Sequence, residues 1–436
     1  MPFVRWTARD PVKRLKSLAN DTGADGRDRH SMHFDVARLI QMLQENNIQP
    51  NEATVKCETA VEHQLPKLEA RSVFSRRRIT VREWIGSQKS GLTKRGSRRG
   101  DAMNVIDIRN AQGSRARIAV DLGFNCFSFA AVTAKGTTVE VLSAAEGFEA
   151  GGLPESRSGI PLLFPYPNRI AGGCFSWSGR NYQLRPELVP FDKTGNAIHG
   201  FAIDRPWRVT GRSDSSATAV FRTSLDAPER LALWPTDAEI EVTYELTGAC
   251  LRSLIKVRNP SEEPLPWGFG THAYFRLPLG SDSSAEQCTV YAPASRIWEL
   301  HDCLPSGKTH SAPVGKNLAA SPGFGGLKVD DVYTGVTTEN GSVNCQLTDP
   351  AANLAVQQRC SSDFREIVAF TPPWATAICL EPYTCMTDAI NLQQKGIDAG
   401  LQILPPGETW EGRIEIEVLT TEHVEARRQS TRSTGL

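Results

Sequence analysis

The chain contains 436 residues, and its 49 basic and 49 acidic residues give a formal net charge of zero. No stretch approaches the roughly 20 apolar residues of a membrane span, and the N-terminus lacks the apolar core of a signal peptide. The ten cysteines are scattered without a Cys-x-x-Cys pair or a Cys/His cluster at metal-ligand spacing. These features exclude a membrane-spanning helix, offer no metal-ligand motif and favour a soluble protein in the reducing cytoplasm.

The first 102 residues differ in composition from the remainder. They hold 20 basic and 12 acidic residues, which leaves 29 basic and 37 acidic residues for the rest of the chain. Apolar spacing predicts an amphipathic helix near residues 33 to 46, whereas the Gly/Lys/Arg/Ser stretch from 88 to 100 has no steady period. A nucleic-acid arm is disfavoured because aromatic interleaving and a binding motif are missing. We therefore expect residues 1–102 to be a disordered or mis-annotated extension, with Met103 opening the folded unit.

Short strand-like runs separated by turn signals dominate the chain from residue 103 onward. The clearest runs lie at residues 117–121, 127–132, 138–142, 239–246, 253–257 and 413–418. Long amphipathic helices are nearly absent, which argues against alternating β-α units. We expect one all-β domain over residues 103–425, folded as a large sandwich or barrel and followed by a polar tail at 426–436.

The first candidate motifs contain an arginine and a histidine. Three prolines and an Asn-Arg pair in residues 159–170 favour a fixed loop that presents Arg169, whose guanidinium suits paired hydroxyl or carboxylate oxygens. Arg169 can equally hold its own loop together through backbone carbonyls. His199 lies next to Gly200, which permits the close approach of backbone or ligand, but this histidine alone is weak evidence of a site.

His272 and Glu381 are the most informative residues, because each lies in an apolar, strand-like run. A buried imidazole and a buried carboxylate are costly unless they meet a partner or take part in a reaction. Burial lowers the pKa of a histidine and a nearby carboxylate raises it, so the two effects together can leave His272 suited to general acid catalysis. Each residue alone also has a structural interpretation, as a core histidine bonded to a carbonyl or as a solvent-facing glutamate.

Asp330 and Asp331 follow a Gly-rich turn at residues 323–326. Paired aspartates in a loop suggest calcium or magnesium, but an isolated Asp-Asp pair is more often solvated.

In chain order, these five motifs resemble the aldose 1-epimerase (galactose mutarotase) family. The resemblance covers residues 103 to 420. It rests on Asn168-Arg169-Ile170, Asn196-Ala197-Ile198-His199-Gly200, His272-Ala273-Tyr274-Phe275, the loop with Asp330 and Asp331, and Leu380-Glu381-Pro382. Ala273 departs from the family, which has proline after this histidine, and either aspartate fits the family's position.

The resemblance implies a galactose mutarotase-like β-supersandwich that interconverts the anomers of a hexose without metal or nucleotide cofactor. His272 would be the acid at the ring oxygen and Glu381 the base at the anomeric hydroxyl. The expected sugar-binding residues are Asn168, Arg169, His199 and Asp330. Opening a cyclic hemiacetal needs one proton removed from O1 and another delivered to the ring oxygen, which agrees with these roles.

The sequence leaves two other functions open. A hexose-6-phosphate epimerase would need cationic phosphate contacts, for which Arg157, Arg169 and Arg205 are candidates. A carbohydrate-binding protein without turnover is the second alternative, and intact His272 and Glu381 argue against it. Aromatic residues that are candidates for stacking on a pyranose ring are Phe164, Tyr166, Trp267 and Tyr274.

Overall fold

This computed structural model describes residues 103–424 and three short strands nearer the N-terminus. The chain divides into two compact units, Met1–Asp101 and Ala102–Leu436. In the first unit the three described strands pair antiparallel in one sheet. The helix expected at 33 to 46, the basic stretch at 88 to 100 and the polar tail at 426–436 lie outside the described residues, so the expectation of a disordered extension stays a prediction.

Strands dominate residues 103–424, and helices are few and short, which confirms the expected all-β class. In chain order the described strands are β1 (Phe3–Val4), β2 (Thr54–Thr59), β3 (Ser75–Thr80), β4 (Val105–Arg109), β5 (Arg115–Ala119), β6 (Asn125–Val132), β7 (Thr138–Glu140), β8 (Leu162–Leu163), β9 (Arg169–Ile170), β10 (Cys174–Trp177), β11 (Arg180–Gln183), β12 (Ala197–Ile198), β13 (Arg208–Arg212), β14 (Ser216–Arg222), β15 (Glu239–Thr247), β16 (Cys250–Arg258), β17 (Leu265–Trp267), β18 (Gly270–Thr271), β19 (Tyr274–Arg276), β20 (Thr289–Tyr291), β21 (Arg296–His301), β22 (Leu304–Ser311), β23 (Asp330–Thr334), β24 (Ser342–Asp349), β25 (Leu354–Ser361), β26 (Glu366–Phe370), β27 (Ala377–Tyr383), β28 (Gln402–Leu404) and β29 (Thr409–Leu419). The helices are α1 (Thr223–Asp226), α2 (Ala389–Gln394), helical residues 421–424, and 3-10 turns at Phe148–Ala150, Glu155–Arg157, Ala171–Gly173, Pro228–Leu233, Ala285–Gln287, Val314–Lys316 and Leu318–Ala320.

One eight-stranded antiparallel sheet runs in the order β13-β14-β15-β16-β29-β25-β24-β20. Its strands follow the apolar/polar alternation of the sequence. In β15, Ile240, Val242, Tyr244 and Leu246 are buried and the residues between them are half-buried. The register with β16 sets Ile240 opposite Val257 and Val242 opposite Ile255, so the apolar residues of both strands share one face.

A second sheet runs in the order β22-β21-β23-β26-β27-β18-β8, and β19 also pairs with β27. All seven residues of β27 are buried, so both faces of this strand are covered. Ile378 and Leu380 point into the main core, while Cys379, Glu381 and Tyr383 alternate to the opposite face. The strand therefore places one carboxylate where ordinary strands place apolar side chains.

Both large sheets contribute to a single hydrophobic core, which contains Ile240 and Val242 of the first sheet and Ile367 and Leu380 of the second. This shared core confirms the predicted sandwich. A smaller apolar cluster covers the opposite face of the second sheet, built mainly from Leu163, Trp298, Val332, Val368, Tyr383, Met386, Ala389 and Leu392.

The remaining described strands form smaller sheets: β4-β5-β6-β7 and the pairs β10-β11, β9-β12 and β17-β28. Among the described residues, none of the helices has the length and apolar character needed to cross a bilayer.

The register of the second sheet brings two carboxylates, a thiol and two aromatic rings onto one face. Asp330 lies opposite Phe370, Phe370 opposite Cys379, and Cys379 opposite Tyr274. Glu381, two residues beyond Cys379, shares this face because side chains alternate along a strand. Four separate parts of the sequence are brought together here by strand pairing alone.

Glu366 is a fully buried carboxyl on the same sheet. Trp298 Nε1 donates to its Oε2 at 3.0 Å, and Thr334 Oγ1 donates to its Oε1 at 3.2 Å. Burial raises the pKa of Glu366 to about 7, against the lowering effects of these hydrogen bonds and of the Arg365 charge. The folded protein therefore holds a proton here that the unfolded chain releases near pH 4.5.

We expect Glu366→Gln to change how stability depends on pH. Between pH 4.5 and about 7 the folded state binds the extra proton, so the stability of the wild type falls as pH rises. At 1.36 kcal/mol per pKa unit, this loss is about 3 kcal/mol. Urea unfolding of both proteins at pH 5 and pH 8 measures it. Because part of the effect lies below pH 5, the variant should gain about 2.5 kcal/mol relative to the wild type between pH 5 and pH 8. Parallel curves would contradict the assignment to Glu366.

Candidate functional site

The loop before β9 places Arg169 at the first position of the strand. The preceding Asn168 has a positive φ of 54°, which turns the chain at this point. Arg169 Nη1 donates a hydrogen bond to Asn168 Oδ1 at 2.9 Å, and Arg169 Nε donates to Asp192 Oδ2 at 2.7 Å. Two side chains therefore orient the guanidinium of Arg169. The Arg169 side chain is 20% exposed.

Asp192 was missed by the sequence analysis. Its Oδ1 accepts hydrogen bonds from the backbone and hydroxyl of Thr194 at 2.9 and 2.8 Å and from the backbone N–H of Asn196 at 2.9 Å. Partial burial raises the pKa of Asp192, but the bonds from Asn196, Arg169 and Thr194 outweigh it and set the pKa at about 2. The signal in the sequence was the turn pattern Asp-Lys-Thr-Gly-Asn, in which an aspartate typically caps its own loop.

His199 is positioned by the same loop. Its backbone N–H donates to Asn168 O at 2.8 Å, and its φ is 66°. Its imidazole meets the ring of His272 edge-on, with 5.6 Å between ring centroids. Burial lowers the pKa of His199 well below its ordinary value, and the neighbouring His272 lowers it further. His199 is thus a neutral ring in the site, with a buried Nδ1 that lacks a hydrogen-bond partner among the described residues.

His272 lies between β18 and β19, where its backbone N–H donates to Pro161 O at 3.0 Å. The imidazole stacks on Tyr274 with centroids 4.8 Å apart and planes 9° from parallel, and Phe370 meets it edge-on at 6.1 Å. Its Nε2 lies 3.3 Å from Glu381 Oε1. These two residues were predicted to act together although they lie more than a hundred positions apart in the sequence. The fold brings them into contact.

Glu381 is almost completely enclosed, with 2% of its side chain exposed. Tyr383 donates its hydroxyl to Glu381 Oε2 at 2.5 Å. Glu381 Oε1 faces His272 but has no hydrogen-bond partner among the described residues. One oxygen is therefore held by the protein and the other is available to a ligand.

Burial dominates the electrostatics of this pair. It lowers the pKa of His272 to about 3 and raises the pKa of Glu381 well above its ordinary value. The Tyr383 hydrogen bond and the Arg169 charge lower the pKa of Glu381, while the charge of Asp330 raises it. Both directions favour the uncharged forms in the ligand-free protein, because few charges nearby compensate for lost water.

The two aspartates of β23 differ in their surroundings. Asp331 Oδ2 accepts a hydrogen bond from Lys316 Nζ at 2.7 Å. Asp330 is exposed and lies on the face of the sheet that carries Glu381. Partial loss of water around its carboxyl raises the pKa of Asp330, although the residue as a whole is exposed. The charges of Arg169 and Lys316 lower this pKa, and the charge of Asp331 raises it. Asp331 is thus paired with a lysine, while Asp330 is electrostatically coupled to Arg169.

Of the four candidate stacking residues, three belong to the hydrophobic core instead: Phe164, Tyr166 and Trp267. Only Tyr274 lies in the site, where its ring packs on His272 and its hydroxyl donates to Ser156 O at 2.8 Å.

One group of metal-ligand type occurs among the described residues. His272, Cys379 and Glu381 offer ligand atoms that all lie within 4.8 Å of one another. Asp330 and Asp331 were expected in a loop and considered for calcium or magnesium, but they begin strand β23 and do not belong to such a group.

Comparison with known proteins agrees with this architecture. The aldose 1-epimerase family model matches residues 134–417, more than half of the chain. The uncharacterized protein YihR of Escherichia coli K12 is 25% identical over 241 residues, which cover 54% of this chain and 72% of YihR. The uncharacterized protein YphB of the same strain is 31% identical over 147 residues, 34% of this chain and 44% of YphB.

Solved structures show the same fold. A galactose mutarotase-like protein from Clostridium acetobutylicum superposes with a TM-score of 0.64 at 22% identity, covering 73% of this chain and 99% of that protein. The GalM/aldose epimerase homologue from C. elegans superposes with a TM-score of 0.60 at 18% identity, covering 73% and 99% respectively. With this fold and a family model that spans more than half of its length, the chain belongs to the aldose 1-epimerase family.

Proposed function

We propose that this protein is an aldose 1-epimerase that interconverts the α and β anomers of a free hexose. The observation that carries the proposal is the 3.3 Å approach of His272 Nε2 to Glu381 Oε1 in a buried part of the sheet. Mutarotation requires one proton to leave O1 and one to reach the ring oxygen. Two proton-carrying side chains held side by side meet that need.

In the proposed reaction, the proton of Glu381 first passes to His272, whose Nε2 lies 3.3 Å from Oε1, so that the base is ionised and the acid is protonated. Glu381 Oε1 then takes the proton from the O1 hydroxyl, and His272 delivers its proton to the ring oxygen. The bond between C1 and the ring oxygen breaks as O1 becomes a carbonyl oxygen. Rotation about the C1–C2 bond then presents the other face of the carbonyl. The former ring oxygen attacks C1, and both proton transfers reverse, so the enzyme returns to its starting protonation state.

The surroundings of Glu381 support its role as the base. An ionised carboxylate is needed to accept the O1 proton, yet burial disfavours that form. The hydroxyl of Tyr383 and the charge of Arg169 both stabilise the ionised form. A buried base of raised pKa is a stronger proton acceptor than an exposed carboxylate once it is ionised.

The proposed sugar-binding residues surround this pair. Arg169 lies opposite Ile198 in the pairing of β9 with β12. His199 follows Ile198 directly, so this pairing brings Arg169 and His199 close together. Asn168 accepts a hydrogen bond from Arg169 through Oδ1, which leaves its amide N–H groups to donate to a sugar hydroxyl. Asp330 is preferred over Asp331 as the hydroxyl acceptor, because Asp331 is paired with Lys316.

A free sugar fits better than a sugar phosphate. Arg205 forms ion pairs with Glu229 and Asp204, and Arg169 forms one with Asp192. Carboxylates thus already neutralise two of the three arginines considered for a phosphate. The third, Arg157, stacks over the ring of Trp374 at 4.4 Å.

We expect purified protein to accelerate the mutarotation of α-D-glucose or α-D-galactose in polarimetry, with glucose 6-phosphate as the comparison substrate. His272→Ala and Glu381→Gln should each lower kcat by roughly 10²- to 10⁴-fold, the usual contribution of a general acid or base. Circular dichroism and thermal unfolding establish that the variants are folded.

Matched controls exist on the surface. His301 and Glu411 have side chains that are 75% and 66% exposed, so His301→Ala and Glu411→Gln should retain wild-type rates. A wild type without activity on free hexoses, or site variants as active as these controls, would contradict the proposal.

We expect Asp192→Asn to raise KM with a smaller effect on kcat. Losing a charged partner that orients Arg169 removes about 1.5–3 kcal/mol of interaction, or roughly a tenfold or larger loss of sugar affinity. Initial rates over a range of sugar concentrations separate the two constants. The control is Asp398→Asn, which removes a surface partner of Arg365. An unchanged KM would show that Asp192 does not position Arg169 for the sugar.

A further inference from the structure

Cys379 is a buried thiol beside the proposed acid and base that the mutarotation chemistry does not use. It lies two residues before Glu381 on β27 and shares its face of the sheet. The sulfur of Cys379, a ring nitrogen of His272 and a carboxylate oxygen of Glu381 all lie within 4.8 Å of one another. Within the described part of the chain, no other three residues of these types are so arranged.

This set of donors suits a soft divalent cation. Thiolate, imidazole and carboxylate are the ligands of zinc, and sites with three protein ligands leave a fourth position for water or another molecule. Hard cations such as Mg²⁺ prefer sets made of oxygen atoms alone. The donor chemistry therefore selects zinc-like cations over magnesium and calcium.

The geometry requires only a small adjustment. Bonds to zinc measure about 2.0–2.3 Å, so neighbouring ligand atoms stand roughly 3.3–3.8 Å apart in a tetrahedral site. The 3.3 Å between His272 Nε2 and Glu381 Oε1 already matches. No two of the three ligand atoms are more than 4.8 Å apart, so the movement needed to reach tetrahedral spacing is about 1 Å or less.

A second observation points to a ligand at the same place. Glu381 Oε1 is buried and has no hydrogen-bond partner among the described residues, although Oε2 is bonded to Tyr383. A buried oxygen with an unused lone pair is costly in the ligand-free protein. A bound cation would satisfy it, as would a sugar hydroxyl.

We propose that His272, Cys379 and Glu381 form an inhibitory site for Zn²⁺ or a similar soft cation. Binding forms bonds from the metal to the Cys379 sulfur and to the Glu381 oxygen and releases the thiol proton and the carboxyl proton to solvent, with no redox change. The imidazole nitrogen completes the protein ligands. The cation takes the atoms that would contact O1 and the ring oxygen, so it excludes the sugar.

Binding is tested without turnover. We expect calorimetry with Zn²⁺ to give one site per chain whose affinity rises with pH, since the thiol and carboxyl protons are released. Cd²⁺, the spectroscopic probe, should give the ultraviolet charge-transfer band of a metal thiolate. Cys379→Ser and Cys379→Ala should each abolish the band and lower the affinity at least tenfold. The control Cys174→Ser removes an exposed thiol and should change neither measurement.

Inhibition is tested separately, and it rests on the proposed function. Zn²⁺ should inhibit mutarotation in competition with the sugar, EDTA should restore it, and Mg²⁺ should have no effect. Cys379→Ala should retain activity and resist Zn²⁺. Wild-type affinity or inhibition in both Cys379 variants would overturn the inference. A Cd²⁺ thiolate band that depends on Cys379 in a protein without mutarotase activity would uphold the metal site and reject the proposed function.

Discussion

The burial of Glu381 in a strand covered on both faces is the constraint on which the rest of the site depends. An isolated carboxylate removed from water costs several kcal/mol, so its neighbours must bond to it or keep it protonated. Tyr383 provides one bond, and His272 faces the other oxygen. Gly270 is part of this arrangement, because a Cβ there would lie 2.2 Å from Tyr383 Cδ1. Gly270 thus leaves room for the tyrosine ring whose hydroxyl bonds to the carboxyl.

Three of the residues proposed to bind the sugar, Asn168, Arg169 and His199, form one structural unit, although they come from two motifs. His199 donates its backbone N–H to Asn168, and Phe201 donates to Phe164 O. Gly200 allows this contact, because its φ is 79° and a Cβ would lie 2.2 Å from Phe164 O. Since two strained turns depend on each other, a change in one motif disturbs both. Such mutual support favours a site formed before the ligand arrives.

Aromatic rings determine the orientation of His272. Tyr274 covers one face of the imidazole, and the edge contact with Phe370 limits its rotation. Phe370 in turn packs on Trp374, which is 45% exposed. These contacts extend from the buried pair to the surface. They hold Nε2 toward Glu381 and also remove the water that would otherwise stabilise the charged forms. The same aromatic contacts therefore fix the orientation of His272 and favour its uncharged form.

Local alternation of apolar and polar residues determined the all-β class, as in β15, because the residues of one strand alternate between its buried face and its exposed face. It did not reveal that β16 pairs with β29 or that β23, β26 and β27 are neighbours. The sequence also marked His272 and Glu381, since charge in an apolar run is anomalous wherever the partner lies. Tyr383 and Asp192 were not predicted, because a tyrosine in a strand and an aspartate in a turn are common in any sequence. Their roles depend on the fold, which places Tyr383 beside Glu381 and Asp192 beside Arg169. Only the tertiary structure decided those contacts, since they depend on strand register and on loops that meet across the chain.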